Sequence, residues 1–313
     1  MKIRVNMEEN MRRAEKKIET AKRNIRNFMD FFKCPLCGSG FDLSEISGSG
    51  FLKCRDGHTY DISKKGYVNL FNGRTKITKT YDKNLFSARK TISDGGLYNP
   101  LIQKLCEIIT NINPAAVLDA ACGCGNLTVD IFANTGNPPT FAVDLSRDGI
   151  GFAAGCFCLD NLLWVIGNLN NLPFSDNKFD VILNIMSPAN YAEFKRILKH
   201  DGFLIKVLPD SDYLKELRRF IYRGTDRNDY SNEDVLKHIE ENVRTTDIVD
   251  VRYTHTVEKP DIPALFDMTP LTLNIGNEEK TREQIKEDLI ACINEDNSDF
   301  EITLAFKIAV CNK

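Results

Sequence analysis

From Pro100 onward, apolar residues alternate between helical and strand spacing. Leu101–Ile112 places them at three- and four-residue intervals and reads as a helix, while Ala116–Asp119 reads as a short strand. The alternation continues with a helical Val129–Ala133, a strand at Thr140–Asp144 and a helix over Asp148–Cys158. Strands at Leu163–Ile166 and Phe179–Asn184 follow, then helix Tyr191–Leu198, strand Gly202–Val207 and helix Tyr213–Tyr222. Helices between short, nearly continuous apolar strands predict an α/β, doubly wound parallel sheet. Beyond Asp247 the spacing becomes strand-like at Asp247–Thr256 and Phe300–Ala309, with a helix near Arg282–Ile293. These late elements would complete the far edge of the sheet.

The first hundred residues follow a different grammar. Residues 1–28 lack Gly and Pro and hold nine basic against four acidic residues, with a thin stripe at Ile18, Ala21, Ile25 and Phe28. That pattern fits a basic helical extension, solvated or facing RNA, better than a core helix. Residues 29–73 are short, Cys- and Gly-rich, and punctuated by turns at Cys37-Gly38-Ser39-Gly40 and Gly48-Ser49-Gly50. Residues 74–98 form a basic connector (Arg74, Lys76, Lys79, Lys83, Arg89, Lys90) ending in a helical turn, and residues 99–313 form the sheet domain.

Composition sharpens this division. With 313 residues and 42% hydrophobic content the chain is large enough to bury a core. No run approaches the roughly 18 apolar residues of a membrane span, and the start lacks a secretory apolar segment. A cytoplasmic setting is therefore expected, where ten cysteines serve metal binding or packing rather than disulfides. The net charge of −3 hides +9 over residues 1–100 and −12 over the remainder. A basic first third suits an anionic partner.

Cys34-Pro35-Leu36-Cys37 and Cys54-Arg55-Asp56-Gly57-His58 pair C-x2-C with C-x3-H across a sixteen-residue spacer. Each pair can clamp one side of a tetrahedral ion from a tight turn, so Cys34, Cys37, Cys54 and His58 read as ligands of a structural Zn2+. A segment this small cannot build much core, and the metal would supply folding free energy. Cys122, Cys124, Cys156 and Cys158 lack partners at ligand spacing and read as small buried hydrophobes. His200, His238 and His255 are isolated.

Val117-Leu118-Asp119-Ala120-Ala121-Cys122-Gly123-Cys124-Gly125-Asn126 runs from a strand through a small-residue turn into a helix, where a doubly wound fold binds nucleotide-like ligands. The acid opening this loop disfavours phosphate and suits the cationic methionyl tail of S-adenosylmethionine. Asp144, closing the next strand, can accept ribose hydroxyls. Gly167-Asn168-Leu169 after the third strand offers an amide to the adenine edge. The fold expected is a Rossmann-like class I S-adenosylmethionine methyltransferase domain with a small N-terminal zinc-binding domain.

From about Phe31 onward the chain resembles bacterial 23S rRNA (guanine-N1)-methyltransferases of the RlmA type, a family that includes macrolide-resistance relatives. The resemblance rests on Phe32-Lys33-Cys34-Pro35-Leu36-Cys37 with Cys54 and His58, and on Asp61-Ile62-Ser63-Lys64-Lys65-Gly66-Tyr67-Val68-Asn69-Leu70. Ala88-Arg89-Lys90, Gly96-Leu97-Tyr98-Asn99-Pro100, Leu172-Pro173-Phe174-Ser175 and Met268-Thr269-Pro270 add later landmarks. The resemblance implies cofactor contacts at Tyr98, at Gly123 with Cys124, and at Tyr213. Ala121 and Cys124 stand where the family loop has glycine and glutamate, and Tyr213 where histidine is common. It also implies methyl transfer to a guanine N1 in a large-subunit rRNA hairpin, with no membrane partner; a homodimer is compatible.

Such a reaction removes the N1 proton, so a hydrogen-bond acceptor near the target is expected. Asn184 and Ser187 with Pro188, and Asp210 and Asp212 after the next strand, are the candidates, with Asp210 or Asp212 as base. Phe41, Phe51 and Tyr60 could stack on unpaired bases or pack a tiny core. The alternatives are a small-molecule methyltransferase and a catalytically inactive RNA-binding relative.

Overall fold

The computed structural model describes residues 2–46, 49–73, 83–223, 231–273, 275, 280–296 and 299–313. Helix α1 (Lys2–Asn27) and a 3-10 turn at Met29–Phe31 lead into β1 (Phe41–Ile46), β2 (Ser49–Cys54), β3 (Thr59–Asp61) and β4 (Tyr67–Asn69). Then come α2 (Lys83–Asp94), α3 (Asn99–Ile112), β5 (Val117–Ala120), α4 (Asn126–Asn134), β6 (Thr140–Asp144), α5 (Arg147–Cys156), β7 (Leu162–Ile166) and β8 (Phe179–Ile185). The chain continues through α6 (Tyr191–Ile197), β9 (Leu198–Pro209), α7 (Lys215–Ile221), α8 (Glu233–Asn242) and β10 (Arg244–Val257). It ends with α9 (Ile262–Met268), α10 (Arg282–Asp296) and β11 (Phe300–Asn312).

An eight-stranded sheet runs in the order β10-β11-β9-β8-β5-β6-β7-β4, antiparallel only where β11 meets β9 and β10. Every residue of β5 and β7 is buried, as strands covered on both faces require. The edge strand β10 instead alternates polar and half-buried positions. The strand order reverses beside β5, which opens a crevice at the carboxyl ends of β5, β6 and β8. Helices α8 and α9 were not foreseen, and α7 starts at Lys215 rather than Tyr213 because Leu214 turns left-handed at φ 52°. The connector ends in the three-turn helix α2; Arg74, Lys76 and Lys79 lie outside the described residues. No helix among the described residues is long and apolar enough to cross a membrane.

β1, β2 and β3 form a small antiparallel sheet of their own, but β4 leaves it and pairs in parallel with β7 of the large sheet. Phe28, Phe31 and Phe32 pack on Phe141, Phe174 and Phe179, with Phe31 stacked on Phe141 at 4.7 Å. The small module and the methyltransferase sheet thus share one apolar core. This contact also corrects the expectation for residues 1–28. The last two turns of α1 bury Ala21, Lys22, Asn24 and Ile25. Asn24 donates its amide to the carbonyls of Leu159 and Leu162, both at 3.0 Å, and accepts from the Asn161 N–H. Lys22 is neutralised by Glu19 at 2.9 Å and Glu45 at 3.0 Å. A stripe of so few apolar residues suffices because polar side chains complete the seam with satisfied bonds.

Candidate active site and metal centre

A cavity of about 1350 Å³ fills the crevice at the strand ends. The loop from β5 to α4 forms its floor, and Ala121, Gly123 and Gly125 take positive φ angles of 67°, 60° and 74° in alternation. That zigzag is what lets backbone approach a ligand closely. Gly125 itself is not part of the lining: a side chain there would lie 2.4 Å from the Trp164 ring, so packing under α4 demands the glycine. Tyr98, Asp119, Ala121, Gly123, Cys124, Asp144, Asn168 and Tyr213 all reach the cavity. Cys122 lines it too, and Cys156 is exposed, so these thiols are not the uniformly buried hydrophobes expected from their isolation.

The cavity is electrostatically poised. Burial, against a 2.5 Å hydrogen bond from the Thr128 hydroxyl and reinforced by nearby Asp144, pushes Asp119 up to about 7. Asp144 accepts the Gly123 N–H at 2.8 Å and the Ser146 N–H at 2.7 Å, one on each oxygen, leaving a lone pair on each. Burial raises its pKa, opposed by those two amides and by Arg89. The Tyr98 and Tyr213 hydroxyls meet at 3.3 Å, and burial pushes both upward.

Two lining residues that the sequence reading quoted within its motifs were given no site role there. Arg89 donates to the Met268 carbonyl at 3.1 Å and lies over Gly123. Asn126, at the first turn of α4, has its amide nitrogen and oxygen buried without a hydrogen-bond partner among the described residues. A buried, unpaired amide in a cavity wall is what a polar ligand would satisfy. Arg89 stood in a landmark motif and Asn126 closed the quoted loop, but only the tertiary surroundings give each a role.

The structure does not bring Asp210 and Asp212 to the cavity. Asp210 accepts from the Asn232 amide at 3.2 Å and pairs with Lys307, while Asp212 pairs with Arg252 and Lys215. Each carboxylate is held by cations on the β10–β11 side, which removes the ground for either as base. Asn184 is fully buried beneath the cavity, and Ser187 and Pro188 line it.

The small module carries the second centre. The ligand atoms of Cys34, Cys37, Cys54 and His58 all lie within 4.8 Å of one another. Cys34 and Cys54 sulfurs stand 3.6 and 3.3 Å from His58 Nδ1, and Cys37 stands 3.6 Å from Cys54. A tetrahedral ion with sulfur bonds of about 2.3 Å needs ligand separations of roughly 3.5–3.8 Å, so the donor set fits Zn2+. Against the opposing effect of burial, hydrogen bonds from the Cys37 thiol and the His58 and Asp56 backbone pull Cys54 down to about 6. Phe41 and Tyr60 are buried against each other here, ring centroids 5.5 Å apart, which makes them core rather than stacking platforms. The first knuckle also grips the loop that lines the cavity: the Asn171 amide donates to the Pro35 carbonyl at 2.8 Å, and the Lys33 N–H to that of Pro173 at 3.1 Å.

Residues 32–79 match the family described as "RlmA, N-terminal", and residues 117–202 match a methyltransferase domain. "Putative 23S rRNA (guanine-N(1)-)-methyltransferase YxjB" of Bacillus subtilis is 39% identical over 259 residues, covering 79% of this chain and 89% of that protein. The chain belongs to the RlmA-type 23S rRNA (guanine-N1)-methyltransferase family. A Streptomyces fradiae relative named "23S rRNA (guanine(748)-N(1))-methyltransferase" is 28% identical over 196 residues, 61% of this chain and 68% of that one. In this chain the backbone of Ala121 is held in the left-handed region at φ 67°. That conformation costs an ordinary residue roughly 1–2 kcal/mol.

Proposed function

We propose that this chain transfers a methyl group from S-adenosylmethionine to N1 of a guanine in 23S rRNA. The observation that carries the reading is the union on one apolar core of a Cys3His module and a methyltransferase cavity, in a chain 39% identical to its Bacillus subtilis relative. When bound, S-adenosylmethionine supplies a methyl group on a positively charged sulfur that a nitrogen lone pair displaces in line.

Asp144 would present its two remaining lone pairs to the ribose hydroxyls, and Asn168 would meet the adenine edge. Arg89 and the orphaned amide of Asn126 would hold the methionyl carboxylate, and Asp119 would hold the ammonium. Tyr98 and Tyr213, their hydroxyls 3.3 Å apart, line the cavity and would help shield the reacting atoms from water. Cys34, Cys37, Cys54 and His58 hold Zn2+ with no open position, so that ion stabilises the module rather than reacting. Exposed Lys53, Arg55, Lys64 and Lys65 on the same module give it a basic surface for rRNA phosphates.

Primer extension on 23S rRNA from cells with and without the gene tests the reading. A methyl group at guanine N1 blocks base pairing, so an arrest present in the parent is expected to vanish in the deletion strain. Identical patterns in both would refute it.

A further inference from the structure

One lysine beneath the cavity is explained neither by cofactor binding nor by an rRNA surface. Lys206 lies in the middle of β9, in register with Asn184 of β8 on one side and Ala309 of β11 on the other, and is 3% exposed. Its ammonium donates to Asn184 Oδ1 and, at 2.7 Å, to the Ser187 carbonyl. Both partners are neutral, and no ion pair to Lys206 occurs among the described residues. Burial alone lowers its pKa to about 8. A neutral donor could satisfy the same two acceptors, so the charge itself is the feature the fold does not require.

The bonds leaving Lys206 have a direction. Asn184, its oxygen occupied by the ammonium, turns its amide nitrogen to the carbonyls of Ala120 and Pro188 and, at 2.7 Å, to Ser187 Oγ. Ser187 Oγ therefore accepts from behind. Among the described residues its own proton has only a weak acceptor, the Ala120 carbonyl at 3.5 Å, and Ser187 lines the cavity. The preceding Met186 is held at φ 48°, a strained conformation that this bonded turn enforces. A buried cation thus polarises a hydroxyl in the wall of the cavity.

We infer that the Ser187 hydroxyl donates a hydrogen bond to O6 of the target guanine, and that Lys206, acting through Asn184, is the positioning residue that orients and polarises it. This inference rests on the guanine-N1 reading above. The N1–H proton leaves to water, and the resulting negative charge is shared between N1 and O6, where the Ser187 donor stabilises it. The N1 lone pair forms the new N–C bond. The C–S bond breaks with its electrons remaining on sulfur, giving N1-methylguanine, S-adenosylhomocysteine and a proton carried by water. The neighbours of Lys206 on β8 and β11, Asn184 and Ala309, do not titrate, and neither does the Ser187–Pro188 turn.

Single-turnover and steady-state methylation of 23S rRNA from a deletion strain, by wild-type, Ser187→Ala and Lys206→Met enzymes, tests this assignment. Loss of one positioned donor is expected to lower kcat about 100-fold in Ser187→Ala. Lys206→Met is expected to lose about tenfold, with KM for rRNA and calorimetric affinity for S-adenosylmethionine within about twofold of wild type in both. Wild-type kcat should decline above pH about 8 as Lys206 loses its proton, and Lys206→Met should lack that decline. Unimpaired kcat in Ser187→Ala, whose cavity-wall position spares the core, overturns the assignment. A high-pH decline retained in folded Lys206→Met overturns the role of Lys206. A wild-type enzyme that leaves guanine N1 unmethylated overturns the proposed function itself, and this inference with it.

Discussion

Asp144→Asn separates what this carboxylate does for the fold from what it does for the cofactor. Its two oxygens each take one backbone N–H, from Gly123 at 2.8 Å and Ser146 at 2.7 Å. An amide has a single oxygen, so in the variant one buried N–H faces an NH2 group. An unsatisfied donor of this kind costs about 1–3 kcal/mol, and because it is present with or without ligand it appears as lost stability. The binding loss is distinct. Hydrogen bonds from ribose hydroxyls to a charged acceptor contribute about 1.5–3 kcal/mol, which corresponds to Kd weakened roughly 10- to 100-fold. Urea denaturation reads the first quantity and isothermal calorimetry the second. S-adenosylmethionine and S-adenosylhomocysteine carry the same ribose, so both should weaken equally. If only the charged S-adenosylmethionine weakens, Asp144 acts through its charge and the ribose argument is refuted; unchanged affinity for both refutes the placement altogether.

Three further outcomes follow from the same geometry. Asp119 is raised from 3.8 to about 7, so between those values the empty folded protein holds a proton that the unfolded chain has lost. Stability should therefore fall as pH rises from 4 to 7, and the urea midpoint of Asp119→Asn should lack that component. Ala121→Gly relieves roughly 1–2 kcal/mol of left-handed strain against about 0.5–1 kcal/mol of added unfolded-state entropy. A urea midpoint equal to or above wild type is expected, and a clear decrease would contradict the strain argument. Elemental analysis should find one zinc per chain in the purified protein. Cys37→Ser should lose that zinc and several degrees of Tm, whereas wild-type protein free of zinc at full stability would dismiss the metal assignment.

Much of the fold was legible because its signals are local. Thr140–Asp144 is a strand residue for residue, and Asp119 and Asp144 reach the cavity, since a buried parallel strand writes itself as an apolar run closed by its site residue. The C-x2-C and C-x3-H pairs were readable for the same reason: each knuckle closes within five residues. Short α9 was not, because Pro263 and the polar residues before it hide seven helical residues from any periodicity.

Asp210 and Asp212 show where local reading ends. They sit at a strand end where a base is expected, but Lys307 and Arg252, dozens of residues later, draw them to the other side. Lys206 is the converse case. A lysine inside Gly202-Phe203-Leu204-Ile205-Lys206-Val207-Leu208 drew no reading from the sequence, and only the pairing of β8 with β9 shows that it meets Asn184.

By itself the sequence determined the α/β alternation, the four metal-type ligands and the loop that floors the cavity, all features encoded within a turn or a strand. Tertiary structure alone decided that α1 is part of the core and that β4 joins the large sheet. It also decided which acids face the ligand and which lysine is buried beneath it. Those outcomes depend on which distant segments desolvate each other, and burial, not residue type, sets the charge and the bonding of each group.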